Sequence, residues 1–178
     1  VICGIIDFGL DFTLDDFQDA TGATRVEYLW DQFLTPQGTE SGPARFNYGV
    51  EYSRADIDAA LQSPNPFNQV RHSPGINSHG THVASTAAGN GRSSDANFPA
   101  ARYIGTAPDA TIIFVQPNAG DQDSTFTDSV HVADAIAYIF EKADELNLPC
   151  VINMSLGQNG GSHDGESIVE RAIDRMLD

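Results

Sequence analysis

The chain has 178 residues and 40% hydrophobic content, enough for the core of one domain. No apolar run approaches the roughly 20 residues that a membrane-spanning helix needs. Nine basic and 25 acidic residues leave a net charge of −16. This argues for a solvated acidic surface and against a nucleic-acid partner.

The first predicted element is a strand over Val1–Ile6, apolar except for Gly4 and closed by Asp7. Unbroken apolar runs of this length suit a parallel strand buried on both faces. Residues 31–77 are punctuated by Pro36, Gly38, Gly42, Pro43, Pro64, Pro66, Pro74 and Gly75. They read as a surface insertion holding one short helix, Arg54–Leu61. Asn77-Ser78-His79-Gly80-Thr81-His82-Val83-Ala84 then sets a histidine at the start of a helix built from small residues. Gly80, Ala84 and Ala88 would let that helix lie close to a sheet. Gly89–Arg102 reads as a second loop.

Ile112–Val115 is the next strand. From Val132, the positions Ala135, Ile136, Ile139, Ala143 and Leu146 form a helical stripe. Cys150–Met154 is a third apolar strand, and Ile168, Val169, Ala172, Ile173, Met176 and Leu177 stripe a last helix. Cys3 and Cys150 fall inside strands and read as free, buried thiols. Alternating strands and helices predict an α/β fold: a doubly wound, mostly parallel sheet with helices on both faces. Ligands of such sheets bind beyond the carboxyl ends of the strands, where Asp7 and Ser155-Leu156-Gly157 fall. Val1 already lies inside a strand, and no strand follows the last helix. A domain truncated on its C-terminal side is therefore expected, with upstream residues also missing.

An aspartate followed by a histidine supplies two of the three members of a serine-hydrolase charge system. A serine hydroxyl is a poor nucleophile and needs a base. His79 would take its proton, and Asp7 would fix the tautomer and stabilise the imidazolium. Thr81 and His82 read as support. Two rivals start from the same residues. His79 and His82, at i and i+3, could hold a metal, although no glutamate stands between them as in H-E-x-x-H. Asp7-Phe8-Gly9 spells a kinase motif, but no glycine-rich phosphate loop accompanies it. A non-catalytic protein that binds a peptide or protein partner is the alternative of another class.

Four motifs resemble those of the subtilisin-like serine proteases, the subtilases, in the family's order. Ile5-Ile6-Asp7-Phe8-Gly9-Leu10-Asp11 resembles the aspartate motif, and Asn77–Thr86 resembles the histidine motif. Gly105-Thr106-Ala107-Pro108-Asp109-Ala110 resembles the turn before the Ile112 strand. Val151-Ile152-Asn153-Met154-Ser155-Leu156-Gly157 resembles the substrate-binding strand. Tyr28-Leu29-Trp30-Asp31-Gln32, Tyr48–Ser53 and Ser162-His163-Asp164-Gly165 resemble a bacterial branch that includes clostridial spore-germination proteases.

The resemblance implies a subtilisin-like fold, with residues 1–178 as the N-terminal portion of one catalytic domain. It implies peptide-bond hydrolysis with Asp7 and His79 as catalytic residues. It implies that Ser155, Leu156 and Gly157 form one wall of the substrate cleft and Ser124, Thr125 and Phe126 the opposite edge. Asp16 matches a family calcium position, so calcium is the structural ion to test. No other cofactor is required. A peptide or protein substrate, no nucleic acid, and a secreted, cell-envelope or spore-associated location follow. Phe8 departs from the family by replacing a small hydroxyl residue. The oxyanion asparagine and the nucleophilic serine do not occur in their family motifs here. The chain is therefore expected to be inert alone, and to self-associate or to need its C-terminal half.

Overall fold

The computed structural model describes residues 1–75, 78–118, 129–157 and 164–177. Five strands form one sheet: β1 (Ile2–Ile6), β2 (Val26–Asp31), β3 (Val50–Ser53), β4 (Thr111–Gln116) and β5 (Cys150–Met154). Their order across the sheet is β3-β2-β4-β1-β5. β1 lies parallel to both β4 and β5, β2 lies parallel to β4, and only β3 runs antiparallel, on β2. The helices are α1 (Arg54–Leu61), α2 (His79–Ala88), α3 (Ser129–Glu145) and α4 (Ile168–Leu177). This is the expected α/β architecture, a mostly parallel sheet with helices on both faces.

Strand alternation divides the core in two. Ile5, Ile112 and Phe114 face Ala84 and Ala88 of α2 and Ile57 of α1. Ile2, Ile6, Ile113 and Val115 face Val132, Ala135, Ile139 and Ala143 of α3. The stripe predicted for α3 is the face it buries. α1 has the bounds read from sequence, because Ser53 and Asp56 close a capping box: the Ser53 N–H donates to Asp56 Oδ2 at 2.9 Å, and Ser53 Oγ accepts from the Asp56 N–H.

The segment 31–77, expected as a surface insertion, extends the sheet. It adds β3 at the edge and buries Val50, Tyr52, Ile57, Ala60 and Val70 in the α2-side core. β2 is a further strand that the apolar pattern did not announce. A register shift between Val26 and Tyr28 breaks its alternation, so Val26 and Leu29 share one face while Trp30 serves the other. Cys3 and Cys150 are free thiols on neighbouring strands. Burial pushes the Cys150 thiol up to about 11.

The strand order places Asp7 just past the end of β1, with Asp31 ending β2 and Gln116 ending β4. Three polar side chains therefore gather at one edge of the sheet, opposite the start of α2.

Candidate active site

His79 opens α2, and its ring Nδ1 lies 2.6 Å from Asp7 Oδ1. Asp7 is fully buried, whereas the His79 side chain is 57% exposed. The carboxylate thus sits in the protein with its partner ring between it and solvent. Asp7 Oδ1 also accepts the Phe8 N–H at 2.7 Å. Oδ2 is buried and has no hydrogen-bond partner among the described residues. With Phe8 in place of a hydroxyl residue, a backbone N–H still orients the carboxylate toward the ring.

Two glycines allow this approach. A Cβ on Gly80 would stand 2.6 Å from Gly9 O and 2.9 Å from the Phe114 ring, so only glycine lets α2 meet the β1 loop this closely. The Gly80 N–H donates to Phe8 O at 2.8 Å and locks the two together. Gly9 has φ +75°, and a Cβ there would stand 2.0 Å from Pro74 O.

The turn after Asp7 has no regular backbone pairing. Its N–H groups go instead to side chains from separate elements. Gly9 N–H donates to Gln116 Oε1 at 2.9 Å, Leu10 N–H to His72 Nε2 at 2.9 Å, and Asp11 N–H to Thr81 Oγ1 at 2.8 Å. Thr81 is therefore support, as its position in the motif suggested. His72 and Gln116 are supports that the sequence did not reveal. Behind them, Asp31 Oδ2 lies 2.7 Å from His72 Nδ1, and Asp31 Oδ1 accepts the Phe33 N–H. One signal was available: β2, like β1, delivers an aspartate at its carboxyl end.

His79 and His82 open onto a cleft of about 600 Å³ whose far side carries Val151, Asn153 and Ser155. Ser155 therefore shares a cleft with His79. Its Oγ accepts from Asn153 Nδ2 at 2.8 Å. Leu156 and Gly157 follow it at the open edge of β5, Leu156 half-buried and Gly157 exposed. Ser124, Thr125 and Phe126 lie outside the described residues.

The Subtilase family model matches residues 1–177. The chain belongs to the subtilase family. A thermophilic serine proteinase of Bacillus sp. (strain AK1) is 32% identical over 135 residues, which is 75% of this chain and 30% of that protein. A subtilisin of Bacillus sp. (strain TA39) is 36% identical over 95 residues, 53% of this chain and 20% of that one. The structure of the Clostridium perfringens CspB protease superposes on 98% of this chain and 33% of its own, with TM-score 0.77 and 31% identity. The chain thus spans about a third or less of the length of these subtilases.

Asp16, expected from the resemblance to match a calcium position, has a distinct environment in this subtilase. Its Oδ1 accepts the Ser93 N–H at 2.8 Å and its Oδ2 accepts Ser85 Oγ–H at 3.2 Å. The guanidinium of Arg25 lies alongside and donates to four backbone carbonyls: Asp16 and Ala88 through Nη2, Pro108 and Ala110 through Nη1. A carboxylate occupied by donors, next to carbonyls already taken by a cation, is a poor donor set for calcium. No cluster of three or more metal-ligating side chains occurs among the described residues, His79 and His82 included.

Proposed function

We propose that the protein carrying this chain is a serine endopeptidase in which Asp7 and His79 are two members of an Asp-His-Ser triad. The observation that carries this reading is the 2.6 Å contact between a buried carboxylate and a half-exposed imidazole at the carboxyl edge of the sheet.

His79 Nδ1–H donates to Asp7, which leaves Nε2 with the lone pair. Nε2 would take the proton of a serine hydroxyl as that oxygen attacks a peptide carbonyl. It would then return the proton to the leaving amine. Asp7 remains ionised and stabilises the imidazolium. The nucleophile and the oxyanion donors come from the rest of the protein. An extended peptide would add as a strand beside Ser155-Leu156-Gly157, with Ser124, Thr125 and Phe126 on its other side. No cofactor takes part, and the donor-filled surroundings of Asp16 favour a structure that does not depend on calcium there.

Alone, the chain is inert, because losing the serine lowers subtilisin turnover by roughly a million-fold. It exposes Val151 (67%), Ile168 (62%) and Leu177 (69%), apolar positions that the remaining length of a subtilase domain would cover. By itself the chain would self-associate or recruit its C-terminal half. No described helix is long and apolar enough to cross a membrane. We propose a secreted, cell-envelope or spore-associated location in a bacterium, as the resemblance to the subtilases suggests.

The test is hydrolysis of an unstructured peptide by the full-length protein, by this chain, and by this chain mixed with the C-terminal half. Activity in the first and third alone supports the reading. Peptide binding without turnover by the full-length protein would favour the non-catalytic alternative.

A further inference from the structure

A second aspartate–histidine pair lies behind the first. Asp31 and His72 are 41 positions apart, and their side chains are 2% and 0% exposed. Their 2.7 Å contact ends in neither solvent nor the cleft. The ring's other nitrogen, Nε2, faces the Leu10 N–H at 2.9 Å. A backbone N–H can only donate, so Nε2 holds a lone pair and Nδ1 carries the proton. His72 thus links two groups: its Nδ1–H donates a hydrogen bond to Asp31, and its Nε2 accepts one from the Leu10 N–H, three residues past Asp7.

We propose that the Asp31–His72 pair is a positioning device that sets the orientation of Asp7 toward His79. This rests on the triad reading above. The turn Phe8–Asp11 makes its backbone hydrogen bonds largely to side chains, and His72 holds the central one, between Gln116 at Gly9 and Thr81 at Asp11. Asp31 anchors this group, since its Oδ2 faces both His72 Nδ1 and, at 3.5 Å, Gln116 Nε2. The turn passes its position on through Phe8 O, which accepts from Gly80 N–H beside His79. A buried carboxylate and imidazole stabilise a fold no better than an apolar pair of the same shape. What the pair adds is direction. Without an acceptor at Leu10, the turn can relax by an ångström or so, and displacements of that size are worth up to about 100-fold in turnover.

The experiment uses the full-length protein with two substitutions, His72→Leu and His72→Gln. Leucine fills the space but neither accepts nor donates. Glutamine offers Oε1 to the Leu10 N–H and Nε2 to Asp31. Turnover is read on a peptide substrate well below the unfolding midpoint, so a loss of stability alone leaves it unchanged. The expected result is kcat lower by about 10- to 100-fold in His72→Leu with KM within about twofold, and recovery to within about threefold in His72→Gln. Unchanged kcat in folded His72→Leu, or no recovery in His72→Gln, overturns the proposal. If neither variant folds, the ¹⁵N spectrum of the wild-type histidines decides: a neutral His72 with an unprotonated Nε2 supports the proposal, and an Nε2–H overturns it. If the wild type hydrolyses nothing, the triad reading fails separately. Positioning is then read from the His79 Nδ1 proton resonance, which should move in His72→Leu and which overturns the proposal if it stays fixed.

Discussion

Gly80 N–H donates to Phe8 O at 2.8 Å, and through that bond the residue after His79 is tied to the residue after Asp7. The 72-residue separation of Asp7 and His79 is closed by this junction between α2 and the β1 turn, with Thr81 of α2 adding a second bond to the turn at Asp11. Thr81 reaches the turn from α2, and Gln116 reaches it from β4.

The junction predicts the effect of Gly80→Ala. The added methyl would meet Gly9 O at 2.6 Å and Phe8 O at 3.0 Å, both backbone atoms that cannot rotate away. Overpacking of this kind costs about 1–3 kcal/mol, partly offset by the roughly 1 kcal/mol that alanine gains in a helix. The full-length variant should unfold at lower urea concentration and lose more activity than stability. An unshifted midpoint with full activity would show that α2 and the turn are not in close contact.

Arg25 is expected to be a structural cation. Its guanidinium serves four carbonyls from separate segments, a fan that lysine cannot reproduce. Arg25→Lys should destabilise by about 2–4 kcal/mol in denaturant titration. Millimolar calcium should not restore the loss, and a chelator should not deepen it. Restoration by calcium would mean that the carbonyls around Asp16 accept an ion after all.

Acid should weaken the β3 edge. The Arg71 side chain, helped by the Tyr52 hydroxyl, holds the Glu40 carboxyl down to about 2 from its ordinary 4.5. A depressed folded-state pKa stabilises fully above the unfolded value and loses that stabilisation as pH falls through the folded one. The window is therefore pH 4.5 down to about 2. Because the pair is partly solvated, Glu40→Gln should cost about 1 kcal/mol at neutral pH, with the gap to wild type closing across that window. Stability curves that stay parallel down to pH 2 would remove the ion pair from the account.

Cys150 should be a sluggish thiol. Its thiolate is disfavoured by burial, with the pKa raised to about 11. Alkylation of the native protein at pH 8 should be far slower than in denaturant, rising about tenfold per pH unit as the thiolate forms. Equal rates in native and unfolded protein would place Cys150 at the surface.

Where one residue's neighbours in sequence are also its neighbours in space, the site was legible. His79, Gly80 and Thr81 act within one helical turn, and Asp7 closes an apolar strand, so each fell inside a short motif that resembles the subtilases'. β1 and β4 declared themselves because burial on both faces demands unbroken apolar runs, and β5 carries such a run although Val151 is exposed. β2 did not, because its register shift scrambles the alternation, and β3 has only four residues, two of them half-buried. The Asp31–His72 pair had no local signature beyond the aspartate that ends β2. His72 stands in Val70-Arg71-His72-Ser73-Pro74, which has no periodicity, and its meaning comes from a turn 62 residues earlier. Arg25 was hidden for the same reason: its partners are carbonyls, which no sequence pattern encodes.

The most direct test is labelling of the full-length protein with a fluorophosphonate, which reacts only with an activated serine. The wild type should take up one label per molecule, on a serine outside these 178 residues. Labelling should slow by at least about a thousand-fold in both Asp7→Asn and His79→Ala. Labelling at the wild-type rate in either variant, or none in the wild type, would contradict the pairing of this carboxylate and this imidazole as the base of a serine peptidase.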